Sequence, residues 1–201
     1  MAKLSYEFYR DDDVITIARH LLGKHLFTEV GGMITGGIIV ETEAYAGVID
    51  KASHAYGGRF TDRTKVMYGQ GGSAYVYLCY GIHYLFNVVT SSVGTPHAVL
   101  IRGVEPVTGV EQMLERRKMT VLKPSITAGP GALSQALGIN KVLNGVDLLG
   151  DQVWIEDVGQ SFSDDMIASV PRVGVDYAAE DALLPWRYYI KGNKYVSKPN
   201  K

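Results

Sequence analysis

The run Ile38-Ile39-Val40-Glu41-Thr42-Glu43-Ala44-Tyr45 holds the densest chemistry in the chain. As a strand it alternates, which puts Ile39, Glu41, Glu43 and Tyr45 on one face and Ile38, Val40, Thr42 and Ala44 on the other. Two carboxylates and an aromatic beside the apolar middle of the sequence make a candidate acid or base. Like charges at that spacing, partly buried, raise the proton affinity of at least one of them. Alternation alone fits better a half-exposed strand whose polar side faces water. A second run, Ser73 to Gly81, places Tyr75 and Tyr77 on one face and Tyr80 at a glycine corner, where a large ring can project and enter a base stack. A third, His54-Ala-Tyr-Gly-Gly-Arg59-Phe-Thr-Asp-Arg63-Thr-Lys65, joins glycines that let backbone approach a ligand to cations that suit phosphates. Its spacing is neither a Walker loop nor a dinucleotide fingerprint. The histidines (His20, His25, His54, His83, His97) lack the HxH and HxxxH spacings, so no metal site is expected.

These residues need elements to hold them. Helical spacing of Val14, Ile17, Ala18, Leu21 and Leu22, with Asp before and Gly23 after, predicts a helix over 14–22. A second is expected from Val110 to about Met119, opened by a Thr108/Glu111 capping box, and a third over Ala132–Leu137, closed by Gly138. Strands are expected at 24–30, 34–45, 73–79, 84–90, 97–105 and 152–156, with a closing pair around 186–197 turning at Gly192–Asn193. Strands outnumber helices and do not alternate with them, which argues for an α+β domain on a mostly antiparallel sheet.

With 201 residues and no internal repeat or linker, one domain (1–201) is expected. Cys79 is the sole cysteine, which rules out a disulfide framework and fits a reducing cytoplasm. The N-terminus is too charged for a signal peptide. From Val66 to Ile101 there is no Asp, Glu, Lys or Arg, yet Gly, Ser, Pro96 and dense tyrosines make this stretch a poor membrane span and a good fold centre. A net charge of -1 argues against a generic nucleic-acid coat, although Arg187–Lys201 and the Arg59–Lys65 loop concentrate positive charge.

Together the runs IVETEAY, SHAYGGR, YVYLCYG and VLIRGVEP, then Gly129–Lys141, PRVGVDYA and WRYYIKGNKYVS, resemble the alkyladenine (3-methyladenine) DNA glycosylase family, in order over nearly the whole chain. The resemblance implies a compact α+β domain with a curved antiparallel sheet flanked by helices. It implies excision of alkylated or deaminated purines from duplex DNA without metal or cofactor. Glu43 would be the general base, with Arg102 and the carbonyl of Val173 helping to hold the attacking water. Tyr45 would stack on one face of the extruded base, with His54 and Tyr77 on the other, and Asn87 would discriminate against the amino group of guanine. Tyr80 would fill the gap in the duplex, which Arg59, Arg63, Lys65, Ile82, His83 and Lys141 would contact. A monomer that does not nick DNA is expected, since no lysine falls in the matched pocket blocks to form a Schiff base. Two other readings stay open: a binding module that kept the fold and lost the chemistry, and a carbohydrate hydrolase using Glu41 with Glu43. Side chains two apart on one strand point the same way, which suits the second poorly.

Overall fold

The computed structural model describes residues 2–197. A short strand β1 (Ala2–Lys3) and one helical turn α1 (Tyr6–Tyr9) lead into α2 (Val14–His20). Asp13 opens α2: its carboxylate accepts from the N–H groups of Ile15 and Thr16, donors the first turn cannot pair internally. Leu21 and Leu22 lie past the helix end but stay buried, and Gly23 at φ +86° turns the chain. The main strands follow: β2 (His25–Val30), β3 (Met33–Tyr45), β4 (Ala74–Cys79), β5 (His83–Thr90) and β6 (His97–Thr108). Then come α3 (Val110–Arg116), α4 (Pro130–Ala136), β7 (Val153–Asp157), β8 (Ile167–Val170) and β9 (Arg187–Ile190).

Among the described residues the strands form one curved antiparallel sheet in the order β1-β7-β2-β3-β6-β5-β4, with β9 joining β3 and β8 joining β9. β3 is its spine. The first half pairs with β2, Glu41 to Glu43 pair with β9, and β6 runs along the other edge. Helices α2, α3 and α4 cover one face, burying Ile17, Phe86, Val99, Ile101, Met113 and Leu133. This apolar cluster includes much of the charge-free centre of the sequence. On the other face, Ala55 and Met67 pack against Tyr75, Val89 and Ala98, while Ala52, Val175 and Ala178 close around Tyr45. The strand face carrying Glu43 is therefore roofed by loops, not by helices. No helix among the described residues is long and apolar enough to cross a membrane.

Some expectations need correction. The closing pair over 186–197 is a single strand: β9 pairs with β8 and β3, and the chain then curls instead of returning. Asn193 causes the curl, because its side chain accepts from the Tyr195 N–H at 2.9 Å and stabilises a turn in place of a ladder. The Thr108/Glu111 capping box does not form. Gly109, at φ +67°, is the N-cap of α3 and offers no side chain. Finally, register shifts around Val40 break the alternation of β3, and Ile39 joins Val40 in the main apolar cluster instead of the Glu41 face. Lys198 and Lys201, part of the basic C-terminal stretch, lie outside the described residues.

Candidate active site

One row of residues runs across five strands. Tyr75 pairs with Asn87, Asn87 with Leu100, Leu100 with Glu43, and Glu43 with Arg187. Residues opposite one another in a sheet share a face, so side chains distant in sequence converge on the loop-covered side. Glu41 and Tyr45 flank Glu43 on that face. The water-facing alternative for this strand is excluded, because Glu41 and Glu43 are both 0 % exposed.

A carboxylate so buried requires partners, and Glu43 has three. The Val173 N–H donates to Oε1 at 2.8 Å, the Tyr45 hydroxyl donates to Oε2 at 2.8 Å, and Arg102 Nη1 lies 3.3 Å from Oε1. Burial lowers the Arg102 pKa, but the charges of Glu43 and Glu41 outweigh it and raise the value above that of an ordinary guanidinium. Burial and the neighbouring Glu43 likewise drive the Tyr45 phenol far up, so it remains a donor. Glu41 is occupied differently: Arg102 Nε, Arg187 Nε, the Ser197 hydroxyl and the Ser197 N–H all donate to it. With both oxygens of Glu41 taken by four donors of the protein itself, none is left for a glycosidic oxygen, which removes the acid/base pair of a carbohydrate hydrolase.

The aromatic groups stand beside the carboxylate. Arg172 lies over Tyr45, 4.8 Å from the ring centre, and over Trp186 at 5.1 Å. It is held by a two-pronged contact with Asp50 at 2.6 and 2.9 Å. One face of Tyr45 is thus taken, and Ala52, Val175 and Ala178 pack around the ring. His54 meets Tyr77 edge to face, with centroids 4.7 Å apart at 77°, so the two rings cannot both lie flat on one base. Arg63 covers the Tyr77 ring at 4.7 Å and reaches His54 Nε2 at 3.4 Å. A guanidinium only donates, so Nε2 accepts, and the imidazole proton sits on Nδ1, directed at the Tyr75 hydroxyl 2.9 Å away. Burial, then the charges of Arg63 and Arg59, push His54 down to about 4, which keeps it neutral. Asn87 donates to the Tyr75 carbonyl at 3.1 Å, which fixes the orientation of its amide. A buried carboxylate held by donors and flanked by aromatic rings can orient a water once a planar substrate enters between them.

The family model for methylpurine-DNA glycosylase (MPG) matches residues 7–194. The chain belongs to this family. A relative from Desulfitobacterium hafniense is 47% identical over 207 residues, covering 98% of this chain and 99% of its own. One from Clostridium acetobutylicum is 47% identical over 203 residues, with 97% of each covered. A Bacillus cereus relative is 48% identical over 199 residues, covering 95% of this chain and 97% of its own. Each is provisionally named a 3-methyladenine DNA glycosylase.

In this member of the family the expected residues fall into two groups. Glu43, Arg102, Val173 and Tyr45 are joined by direct contacts, and His54, Tyr77, Asn87 and Arg63 by another set through Tyr75. Tyr80 and Ile82 stand at the β4–β5 hairpin tip, 91 % and 72 % exposed. Arg59 and Lys65 are exposed on the loop below Tyr77, Lys65 beside Asp62. His83 packs against Gly131 at the start of α4 instead of joining the rings. Lys141 is exposed on the turn Lys141–Leu143, next to Asn144, which accepts from the Val76 N–H of β4. Sequence reasoning missed Asp50, Arg172, Arg187 and Ser197. The available signal was a charge stranded in apolar or aromatic surroundings, as in PRVG and WRYY.

Proposed function

We propose that this family member acts as a monomer on double-stranded DNA, flips out an alkylated or deaminated purine, and hydrolyses its bond to the sugar with a water activated by Glu43. The observation that carries this reading is the bonding of Glu43. A carboxylate offers about four lone-pair sites; the Val173 N–H and the Tyr45 hydroxyl fill one on each oxygen, and Arg102 adds an ion-pair contact at 3.3 Å. A site left on the oxygen that faces Tyr45 takes the water, with the Val173 carbonyl as a second acceptor. Glu43 is sealed in the free protein, so water meets it only when the slot opens for a base.

The base stacks on the face of Tyr45 opposite Arg172, with His54 and Tyr77 across from it. Extrusion costs a few kcal/mol, least for a damaged or mispaired base, and stacking returns about 1–3 kcal/mol per base. A cationic alkylated purine suits electron-rich rings and leaves readily. As the sugar becomes oxocarbenium-like, the Glu43 anion stabilises it. Asn87, its amide fixed by Tyr75, is positioned to reject a purine carrying a 2-amino group. Tyr80 and Ile82 enter the duplex, and Arg59, Arg63, Lys65, His83 and Lys141 meet its backbone. The base is released without nicking, and among the described residues the side chains bonded to Glu43 are those of Tyr45 and Arg102, not of a lysine. The free thiol of Cys79 is compatible with work in the cytoplasm.

The deciding experiment is a panel of duplexes, each with one hypoxanthine, ethenoadenine or 7-methylguanine, followed by hot-alkali cleavage. Wild type yields abasic sites, and Glu43→Gln loses roughly 10²–10⁴-fold in release while still binding lesion duplex. Equal turnover by the two proteins refutes the role of Glu43. Capture of a covalent DNA complex with borohydride refutes the monofunctional reading. No release by the wild type leaves a binding module.

A further inference from the structure

Glu41 is buried as completely as Glu43 and makes more contacts, yet the proposed chemistry gives it no task. Its surroundings show one. Arg102 Nε donates to Glu41 Oε1 at 3.1 Å, and Arg102 Nη2 donates to the Ser197 hydroxyl at 3.2 Å. That hydroxyl in turn donates to Glu41 Oε1 at 2.8 Å, and the Ser197 N–H donates to Oε2 at 2.6 Å. A guanidinium is planar, so two anchors along one edge fix its whole plane. The remaining nitrogen, Nη1, is the one that lies 3.3 Å from Glu43.

The backbone is built for this arrangement. Glu41 pairs with Gly103 and Thr42 with Ile101, so Arg102 has no partner on β3 and falls between the two carboxylates. Such a bulge redirects a side chain. Gly103 then admits the C-terminal turn, because a Cβ at that position would lie 2.7 Å from the Tyr195 carbonyl oxygen. Arg187, the register partner of Glu43, reaches back to Glu41 at 2.6 Å and donates to the Ser197 carbonyl at 3.0 Å.

We infer that Glu41 is a positioning residue: with Ser197 it fixes the plane of Arg102 so that its third donor meets Glu43, which makes the turn Asn193–Ser197 part of the active centre. The inference rests on the hydrolytic reading of Glu43 given above. Glu41→Gln keeps the shape but weakens the anchor, and Ser197→Ala removes one contact without changing charge. Single-turnover release from a hypoxanthine duplex should slow roughly 10²-fold in Glu41→Gln, the scale of an ångström-level misplacement. Ser197→Ala should lose roughly tenfold, the scale of one hydrogen bond to a charged partner. Lesion-duplex Kd should stay within twofold for both, and Glu41→Asp should recover part of the lost rate. The decisive arm is a double-mutant cycle: Glu41→Gln should add nothing to the loss in an Arg102→Lys background. Wild-type rates in both single variants overturn the inference, as does a Glu41→Gln loss that adds in full to that of Arg102→Lys. Should Glu41→Gln fail to fold, the Ser197→Ala rate and its cycle with Arg102→Lys decide alone. Absence of release by the wild type defeats instead the reading on which the inference rests.

Discussion

The two ends of the site use opposite physics. Around β3, the charges of Glu41, Glu43, Arg102, Arg187, Asp50 and Arg172 are withdrawn from water, and each finds a partner of opposite sign. At the β4–β5 tip, Tyr80 and Ile82 are apolar surfaces left in water, and Tyr80 holds a left-handed backbone at φ +50°. Paired charges in a low-dielectric interior cost desolvation but fix geometry tightly. A strained, exposed ring costs stability and gains nothing until something covers it. One end is fully partnered in the free protein; the other is left open to solvent.

The largest test of that contrast is Asp50→Ala. Arg172 would remain buried with only the Ala44 and Asp181 carbonyls as acceptors. Removing one member of a buried pair costs about 3–5 kcal/mol, whereas Lys51→Ala, which breaks a solvent-screened surface pair with Glu180, costs far less. Urea unfolding of both variants measures the gap. Equal losses would mean that Arg172 is solvated after all and that the interior is no more rigid than the surface.

Acid probes the same wall. His54 titrates at about 4 in the folded protein and near its ordinary value of about 6.5 when unfolded. Between those values the unfolded chain binds a proton that the native state refuses, so this component of stability is present above 6.5 and is lost as pH falls toward 4. Integrated over the window it amounts to roughly 3 kcal/mol. The slope should diminish in His54→Gln, and an NMR titration of the ring should show a midpoint near 4. A midpoint above 6 would mean that neither burial nor Arg63 acts on the ring as the geometry requires.

How much of this was readable beforehand follows from distance along the chain. Asp13 caps α2 from one position away, and the ETEAY alternation puts Glu43 and Tyr45 within a hydrogen bond of each other; both are local rules. The partners of Glu41 are not local. Arg102 and Arg187 lie 61 and 146 positions away, and only the sheet order unites them with Glu41. Without them Glu41 and Glu43 read as a repelling pair; with them the cluster is two acids and two bases. β8, Ile-Ala-Ser-Val, is too short to show a period, and the edge it supplies to β9 displaced the expected closing pair. The register shift at Val40 was hidden for the same reason, since a bulge is a property of two strands.

The smallest effect, and the sharpest for the exposed end, comes from Tyr80→Asn. Asparagine tolerates the left-handed conformation that costs other side chains about 1–2 kcal/mol, so the variant should be more stable than wild type by about 1 kcal/mol. It should also release lesions from duplex DNA more slowly, with little change on a single-stranded oligonucleotide, where there is no stack to enter. Denaturation midpoints and release rates on the two substrates separate these effects. Loss of stability would show that Tyr80 is held by contacts within the hairpin, and an equal rate loss on both substrates would assign it to the base slot. A gain in stability with a duplex-only loss is the pattern that strain retained for a partner must produce. Only there does removing a bulky side chain relieve the free protein and weaken the complex at once.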